Sequence, residues 1–363
     1  MFTTNRLKAA CVRITARHLA TAGGHMHGVV INSGNANALT GKQGLKDAAA
    51  MARETARRLG VKAAEIAVCS TGIIGELLPM EKVISGISQA VPRLSSSHSS
   101  ATRAADAILT TDKTRKEAAV SFTLSDGRRA TIGGMTKGSG MISPNMAALH
   151  ATTLTFITTD APVERRYLQK CLERLTAETF NMISVDGDQS TNDTILVLAN
   201  GAAGGPEVRN DPVFEAALGM LMWDLARKVA LDGEGATKLL TVRVVRASTK
   251  KDAAGAALSI IKSSLVKCAV FGEDPNVGRI ASAIGNSGCS ADFSRLDVYV
   301  GPENDVKIIS RGLVTDQKRA AAGMMKGREV YLTVDLNSGK ASATSMGCDL
   351  SYGYVRINSA YTT

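Results

Sequence analysis

Aromatic residues are scarce in this sequence, at 4% of the chain with a single tryptophan. They do not interleave with the basic residues, and no nucleic-acid-binding motif is present, so the usual footprint of a DNA or RNA surface is missing. No window approaches 18 consecutive apolar residues, so nothing reads as a membrane-spanning helix. The six cysteines (Cys11, Cys69, Cys171, Cys268, Cys289, Cys348) stand far apart with no Cys-x-x-Cys pair. That spacing argues against zinc ribbons and disulfide scaffolds, and for a reducing compartment. The expectation is a cytoplasmic protein (or an organelle-matrix one in a eukaryote) with neither a membrane nor a nucleic acid as partner.

Basic residues, in contrast, are in excess. Lys plus Arg number 43 against 33 acidic residues, a formal charge of +10. They are spread along the chain (Arg57, Arg58, Arg115, Lys116, Lys250, Lys251, Lys318, Arg319) and read as solvated surface, with an anionic small substrate as a compatible alternative. The length of 363 residues is ample for a large core. The opening MFTTNRLKAACVRITARHL lacks acids, as transit peptides do, but reads equally as a strand and a helix and is taken as mature protein.

Periodicity and turn signals give a coarse map. Strands are expected at 28–33, 66–69, 151–158, 183–185, 194–199 and 239–246, and helices at 45–60, 162–179 and 211–230. A hairpin over 118–133 turns at Ser125-Asp126-Gly127. GGMTKGSGM at 133–141 reads as a Gly-rich loop. Mixed strands and helices without a solenoid repeat indicate a layered α/β protein.

Several motifs fail on inspection. In GGMTKGSG the lysine precedes its glycine, so the phosphate-loop template is not met. A calcium loop from Asp186 would need Gly at 191 and Glu at 197, where Thr191 and Val197 stand. His25 and His27 lack a third ligand nearby and suit a surface turn. Asn192-Asp193-Thr194 matches a glycosylation sequon, which means nothing without a secretory signal. No metal or organic cofactor is expected.

The remaining feature is the dense Thr, Asn, Gly and Lys composition of GGMTKGSGMISPNMAALHATTLTFITTDA at 133–161. A threonine hydroxyl is a weak nucleophile without a base in reach. Cutting the chain just before the threonine supplies one, because an α-amine titrates near about 7.7–8.0 and a lysine near about 10.4. The pair Ala151-Thr152 provides a small residue followed by a threonine, although Ala-Thr-Thr-Leu is also an ordinary strand opening.

This block resembles the ornithine acetyltransferase (glutamate N-acetyltransferase) family, which carries K-G-S-G-M-I-x-P-N-M-A-T-M-L before a TTDA segment. So do FTTNRLKAA at 2–10, VVINSGNANALTG at 29–41, STGIIGELLPM at 70–80, AILTTD at 107–112, NMISVDGDQSTNDT at 181–194, DGEGATK at 232–238, LVKCAVFGEDPNVGRI at 265–280 and INSAYTT at 357–363. The likeness covers essentially the whole chain. It implies a four-layer α/β/β/α sandwich with a smaller C-terminal lobe, cut into an α fragment (1–151) and a β fragment (152–363) that assemble as paired αβ units. It also implies acetyl transfer from N-acetylornithine to glutamate in arginine biosynthesis, with acetyl-CoA a further donor left open. Thr152 becomes the nucleophile, with cleavage between Ala151 and Thr152. Thr71 and Gly72 become the oxyanion donors, against a competing reading as a plain turn before a helix. Thr111, Lys137, Thr152, Glu234, Asn358 and Thr363 become substrate-binding positions, with Lys137 facing a carboxylate and Glu234 an ammonium. Asp186, Asp188, Asn192 and Asp193 fit a structural hydrogen-bonding loop.

This sequence departs from the family at PNM-AALH-ATTLTF. Aligned from the left, the nucleophile position falls on Ala148; aligned from the right, it falls on Thr152. Only the second register keeps an Ala-Thr junction and the strand after it. The chain also begins inside a region that the family precedes with a further segment. Val277 stands where the family has Trp, and Ser359-Ala360 stand where an acidic residue precedes Tyr361. An amide hydrolase with the same threonine, and an uncleaved inactive relative, are the rival readings.

Overall fold

The computed structural model describes residues 1–143 and 153–360. In chain order the elements are α1 (Ala10–Thr21), β1 (Gly28–Asn35), α2 (Gly41–Leu59), β2 (Ile66–Ile73), α3 (Met80–Ala90), α4 (His98–Ala107), β3 (Lys116–Thr123), β4 (Arg129–Lys137), β5 (Leu154–Thr159), α5 (Arg165–Glu178), β6 (Ile183–Ser184), β7 (Thr194–Ala199), α6 (Pro212–Leu231) and β8 (Leu239–Ala247). There follow α7 (Lys250–Lys262), α8 (Ser264–Phe271), α9 (Val277–Gly285), β9 (Asp297–Val300), β10 (Val306–Ser310), β11 (Leu313–Val314), α10 (Lys318–Met324), β12 (Glu329–Asp335), β13 (Ala341–Cys348) and α11 (Tyr352–Ala360). The protein is the layered α/β type expected.

Two compact units form, the first from Met1–Ala177 and Asp188–Leu225, the second from Glu178–Gly187 and the chain from Ala226 onward. Neither boundary falls at the expected fragment junction. β5, which follows that junction, pairs antiparallel with β4, which precedes it, from Ile132↔Thr159 to Lys137↔Leu154. β3 and β7 complete that sheet in the order β3-β4-β5-β7. β1 and β2 pair in parallel, with Ser33 opposite Thr71 and Gly34 opposite Gly72. The core of this unit gathers Cys11, Met51, Ile66, Val68 and Leu154, among others. In the second unit seven strands run β11-β10-β9-β12-β8-β13-β6, and α7 presents Ala253, Ala256, Ala257, Ile260 and Ile261 to the core of that unit.

The expected elements are present, with shifted ends. The chief correction concerns 133–141: Gly133 to Lys137 are the last residues of β4, and the loop begins only at Gly138. Glycine marks close packing there, since a Cβ on Gly134 would lie 3.1 Å from Ile157 and 3.2 Å from Leu225. The hairpin turn is as read, with Gly127 at φ +89°. The opening residues form no regular strand before α1; Phe2 makes a single bridge to Thr194.

The edge of β2 away from β1 is closed by side chains. The carbonyl of Ile66 meets His18 Nδ1 at 2.8 Å, and that of Ser70 accepts from Asn192 Nδ2 at 2.8 Å. Between them Thr15 Oγ1 both donates to Val68 O and accepts from Val68 N, each at 2.7 Å. Thr15 is wholly buried, so valine in its place leaves two main-chain groups without partners. Thr15→Val is expected to destabilise the first unit by about 1–3 kcal/mol, read as a lower midpoint in thermal unfolding followed by circular dichroism.

Candidate active site

Thr71 and Gly72 lie within β2, not in a turn before a helix. Gly72 has φ +129°, a region L side chains avoid, and a Cβ there would meet Gly34 C at 2.2 Å and Asn35 N at 2.5 Å. The β1–β2 register slips at Asn35; such irregularities re-aim backbone and side chains at the ends of strands. Asn35 fastens the loop beyond β2, its Nδ2 donating to Glu76 O at 3.2 Å and Leu77 O at 3.1 Å.

Lys137, the last residue of β4, is only 5% exposed. Its ammonium donates to Thr71 Oγ1 at 3.1 Å and to Thr110 Oγ1 at 2.9 Å. Asp112, fully buried, lies 4.0 Å from that ammonium. Asp112 also accepts from Lys116 Nζ at 2.5 Å and from Gly138 N at 2.7 Å. Burial alone would push the Asp112 carboxyl up, but Lys137, Lys116 and the Gly138 N–H together hold it below the usual carboxylate range. Thr111 sits in the same bend, between Thr110 and Asp112.

The loop at 186–193 divides its roles. Asn192 ties β2 to the segment after β1 through Ser70 O and, at 2.5 Å, Ala36 O. Asp193 is wholly buried, and neither carboxyl oxygen has a hydrogen-bond partner among the described residues. Burial raises it well above the usual range, against a weaker pull from Lys137. Thr153, which is also buried, passes its carbonyl to the N–H of Thr194 at 3.0 Å. Ala151, Thr152 and Thr363 lie outside the described residues.

The second unit brings Glu234 and Asn358 together. Asn358 Nδ2 donates to Glu234 Oε2 at 2.9 Å, and Glu234 is 7% exposed. The turn carrying Glu234 is held by Asp349, which accepts from Thr237 N at 2.8 Å, from Lys238 N at 2.9 Å and from the Thr237 hydroxyl. Gly235 has φ +68°, and a Cβ there would lie 2.1 Å from Tyr354 N. α11 therefore approaches this turn closely enough for Asn358 to reach the carboxylate.

The buried thiols offer no competing nucleophile. Burial pushes Cys11 up to about 11 and raises Cys69, Cys171 and Cys348 as well. Sequence reasoning missed Thr110 and Asp112 and read Lys116 as solvated surface, whereas its side chain is buried against Asp112; Asn192 acts within a structural hydrogen-bonding loop, as expected. The spacing of Asp112 and Lys116 resembles an ordinary surface pair, and only burial reveals it as part of the site.

An α/β fold with Thr71 and Gly72 at the end of a clamped strand and a buried lysine on the threonine hydroxyl is that of an acyltransferase. The chain belongs to the ArgJ family, whose model matches residues 1–363. It is 47% identical over 368 residues to the "Arginine biosynthesis bifunctional protein ArgJ" of Symbiobacterium thermophilum, covering 100% of this chain and 89% of that protein. It is 44% identical over 369 residues to the "Glutamate N-acetyltransferase" of Methanothermobacter thermautotrophicus, with the same coverage. Among solved structures, the ArgJ crystal structure from Bacillus halodurans matches with a TM-score of 0.53 and 39% identity, over 56% of this chain and 97% of that one.

Two outcomes follow from this geometry. Gly72→Ala should lower acyl transfer by about 10²-fold or more, measured as initial rate on protein whose circular dichroism matches the wild type. For Asp193, the folded carboxyl titrates above the unfolded one, which ionises near about 3.9. Its contribution to stability is therefore greatest below that pH and declines as pH rises through the folded value. Asn does not titrate, so the thermal midpoint of Asp193→Asn should gain on the wild type between pH 5 and 8.

Proposed function

We propose that this protein moves an acetyl group from N-acetylornithine to glutamate through an ester on Thr152, after cleaving itself between Ala151 and Thr152. The observation that carries this reading is the full-length match to a family whose curated relatives are named for arginine biosynthesis and glutamate N-acetylation.

In the cleavage step the Thr152 hydroxyl attacks the Ala151 carbonyl carbon. Its proton passes to the amide nitrogen, the C–N bond breaks, and an ester forms. Water then hydrolyses the ester, leaving a carboxylate on Ala151 and a free α-amine on Thr152. That amine is the base for turnover. It takes the Thr152 proton as the oxygen attacks the acetyl carbonyl, and delivers it to the departing ornithine nitrogen. Glutamate's amine attacks the acetyl ester in turn and restores the threonine. Thr71 and Gly72 would meet the oxyanion, and donors aimed at charge that develops only in the transition state lower the barrier.

Lys137 and Thr111 are assigned to substrate binding in the first unit. Glu234 is assigned to a substrate ammonium, with Asn358 and Thr363 as polar contacts. A buried carboxylate with one amide neighbour suits that role. We further propose assembly as paired αβ units, with 1–151 and 152–363 as the fragments, acting in the cytoplasm on small-molecule substrates alone.

Denaturing electrophoresis after expression tests the cut. Two bands are expected, with the larger, C-terminal chain beginning Thr-Thr-Leu-Thr, whereas Thr152→Ala should run as one 38.0 kDa band and lose at least about 10³-fold in rate. N-acetylglutamate as product supports transfer, while free acetate produced regardless of glutamate indicates a hydrolase. A wild-type protein that stays intact and never carries an acetyl ester would sink the proposal.

A further inference from the structure

Thr71 Oγ1 accepts a hydrogen bond from the Lys137 ammonium at 3.1 Å. A hydroxyl has one proton of its own to give, and among the described residues no acceptor takes the one on Thr71. Lys137 is in turn fixed from the other side. Thr110 Oγ1 accepts from it at 2.9 Å, and Asp112 stands 4.0 Å away. Asp112 cannot swing aside, because Lys116 Nζ, Gly138 N and Thr110 N (3.3 Å) all donate to its carboxylate.

We propose that Lys137 is a positioning residue for the oxyanion donor Thr71, and that Asp112, anchored by Lys116 and the Gly138 N–H, positions Lys137. By donating to a lone pair of Thr71 Oγ1, the ammonium turns the threonine's own proton away from itself. A cation donating to a hydroxyl also polarises it, which strengthens that hydroxyl as a donor. The cluster sets two lysines around one ionised carboxylate, so it favours negative charge developing nearby over a neutral carbonyl. Lys137 thereby acts on the transition state through Thr71, in addition to any contact with a substrate carboxylate.

This rests on the acyl-transfer reading above, and two measurements separate the two claims. The first is the pH dependence of kcat and KM for Asp112→Asn. If Asp112 holds the ammonium charged and in place, kcat falls about tenfold or more, over and above any rise in KM from Lys137's own contact with substrate. The alkaline limb of kcat also moves to lower pH, because a buried ammonium without its counterion deprotonates more easily. A rise in KM with kcat unchanged, or a uniform loss with the limb unmoved, overturns the proposal.

The second is a crystal structure of Asp112→Asn, which requires no activity. Lys137 Nζ should leave hydrogen-bond range of Thr71 Oγ1, and an unmoved contact overturns the proposal. Asp112→Asn strands two buried ammonium groups, so Thr110→Val is the companion variant, removing one acceptor of Lys137 without changing charge. It should lower kcat about three- to tenfold at constant KM, and a kcat equal to wild type counts against the positioning chain. A wild type that makes no N-acetylglutamate sinks the functional reading instead, and leaves the crystallographic test to decide the geometry.

Discussion

The outer edge of β2 is the constraint on which the site in the first unit depends. A two-stranded parallel pair leaves a row of main-chain groups unsatisfied on the outer edge of each strand, and an unpaired strand edge is both costly and adhesive. Here His18, Thr15 and Asn192 take the carbonyls of Ile66, Val68 and Ser70, every second residue in turn. Side chains from α1 and from the loop before β7 thereby do what a third strand would otherwise do. The strand cannot slide or twist without breaking all three, and the next residues along it are Thr71 and Gly72.

Electrostatics supply the second layer of order. Two carboxyl groups near Lys137 meet opposite fates. Asp112, with two lysines and a backbone N–H around it, is held ionised; Asp193, whose buried carboxyl has no hydrogen-bond partner among the described residues, is pushed toward its neutral form. The difference comes from partners, since both groups are deeply buried. In the second unit a similar economy holds Glu234: Asp349 gathers three donors from the turn, and Gly235 admits α11 closely enough for Asn358 to reach the carboxylate.

Much of this was legible beforehand, for identifiable reasons. The helices and strands carried clear periodicity, and Ser125-Asp126-Gly127 announced its turn through a glycine at positive φ. The family blocks singled out Thr71, Gly72, Lys137, Glu234 and Asn358. What the sequence could not display was depth. Asp112 and Lys116 stand four apart, as countless exposed ion pairs do, and nothing local says that both are buried. Gly133 and Gly134 suggested a loop because glycine usually does; both pair with β5 in a strand, and at Gly134 Ile157 and Leu225 leave no room for a Cβ. Thr15 looked like any threonine on an amphipathic helix, and its work on Val68 depends on contact across 53 positions of sequence.

The ladder between β4 and β5 spans the Ala-Thr junction in sequence, one strand before it and the other after. From Ile132↔Thr159 to Lys137↔Leu154 the two segments share main-chain hydrogen bonds within a single sheet, and β3 and β7 extend that sheet on either side. Severing one peptide bond between such neighbours would yield two polypeptides that share one sheet, β3 and β4 from the first beside β5 and β7 from the second. The four-stranded sheet would then draw strands from both halves, whereas the β1–β2 pair lies wholly in the first and the seven-stranded sheet wholly in the second. Cut there, a single gene product would become two chains joined along the β4–β5 ladder.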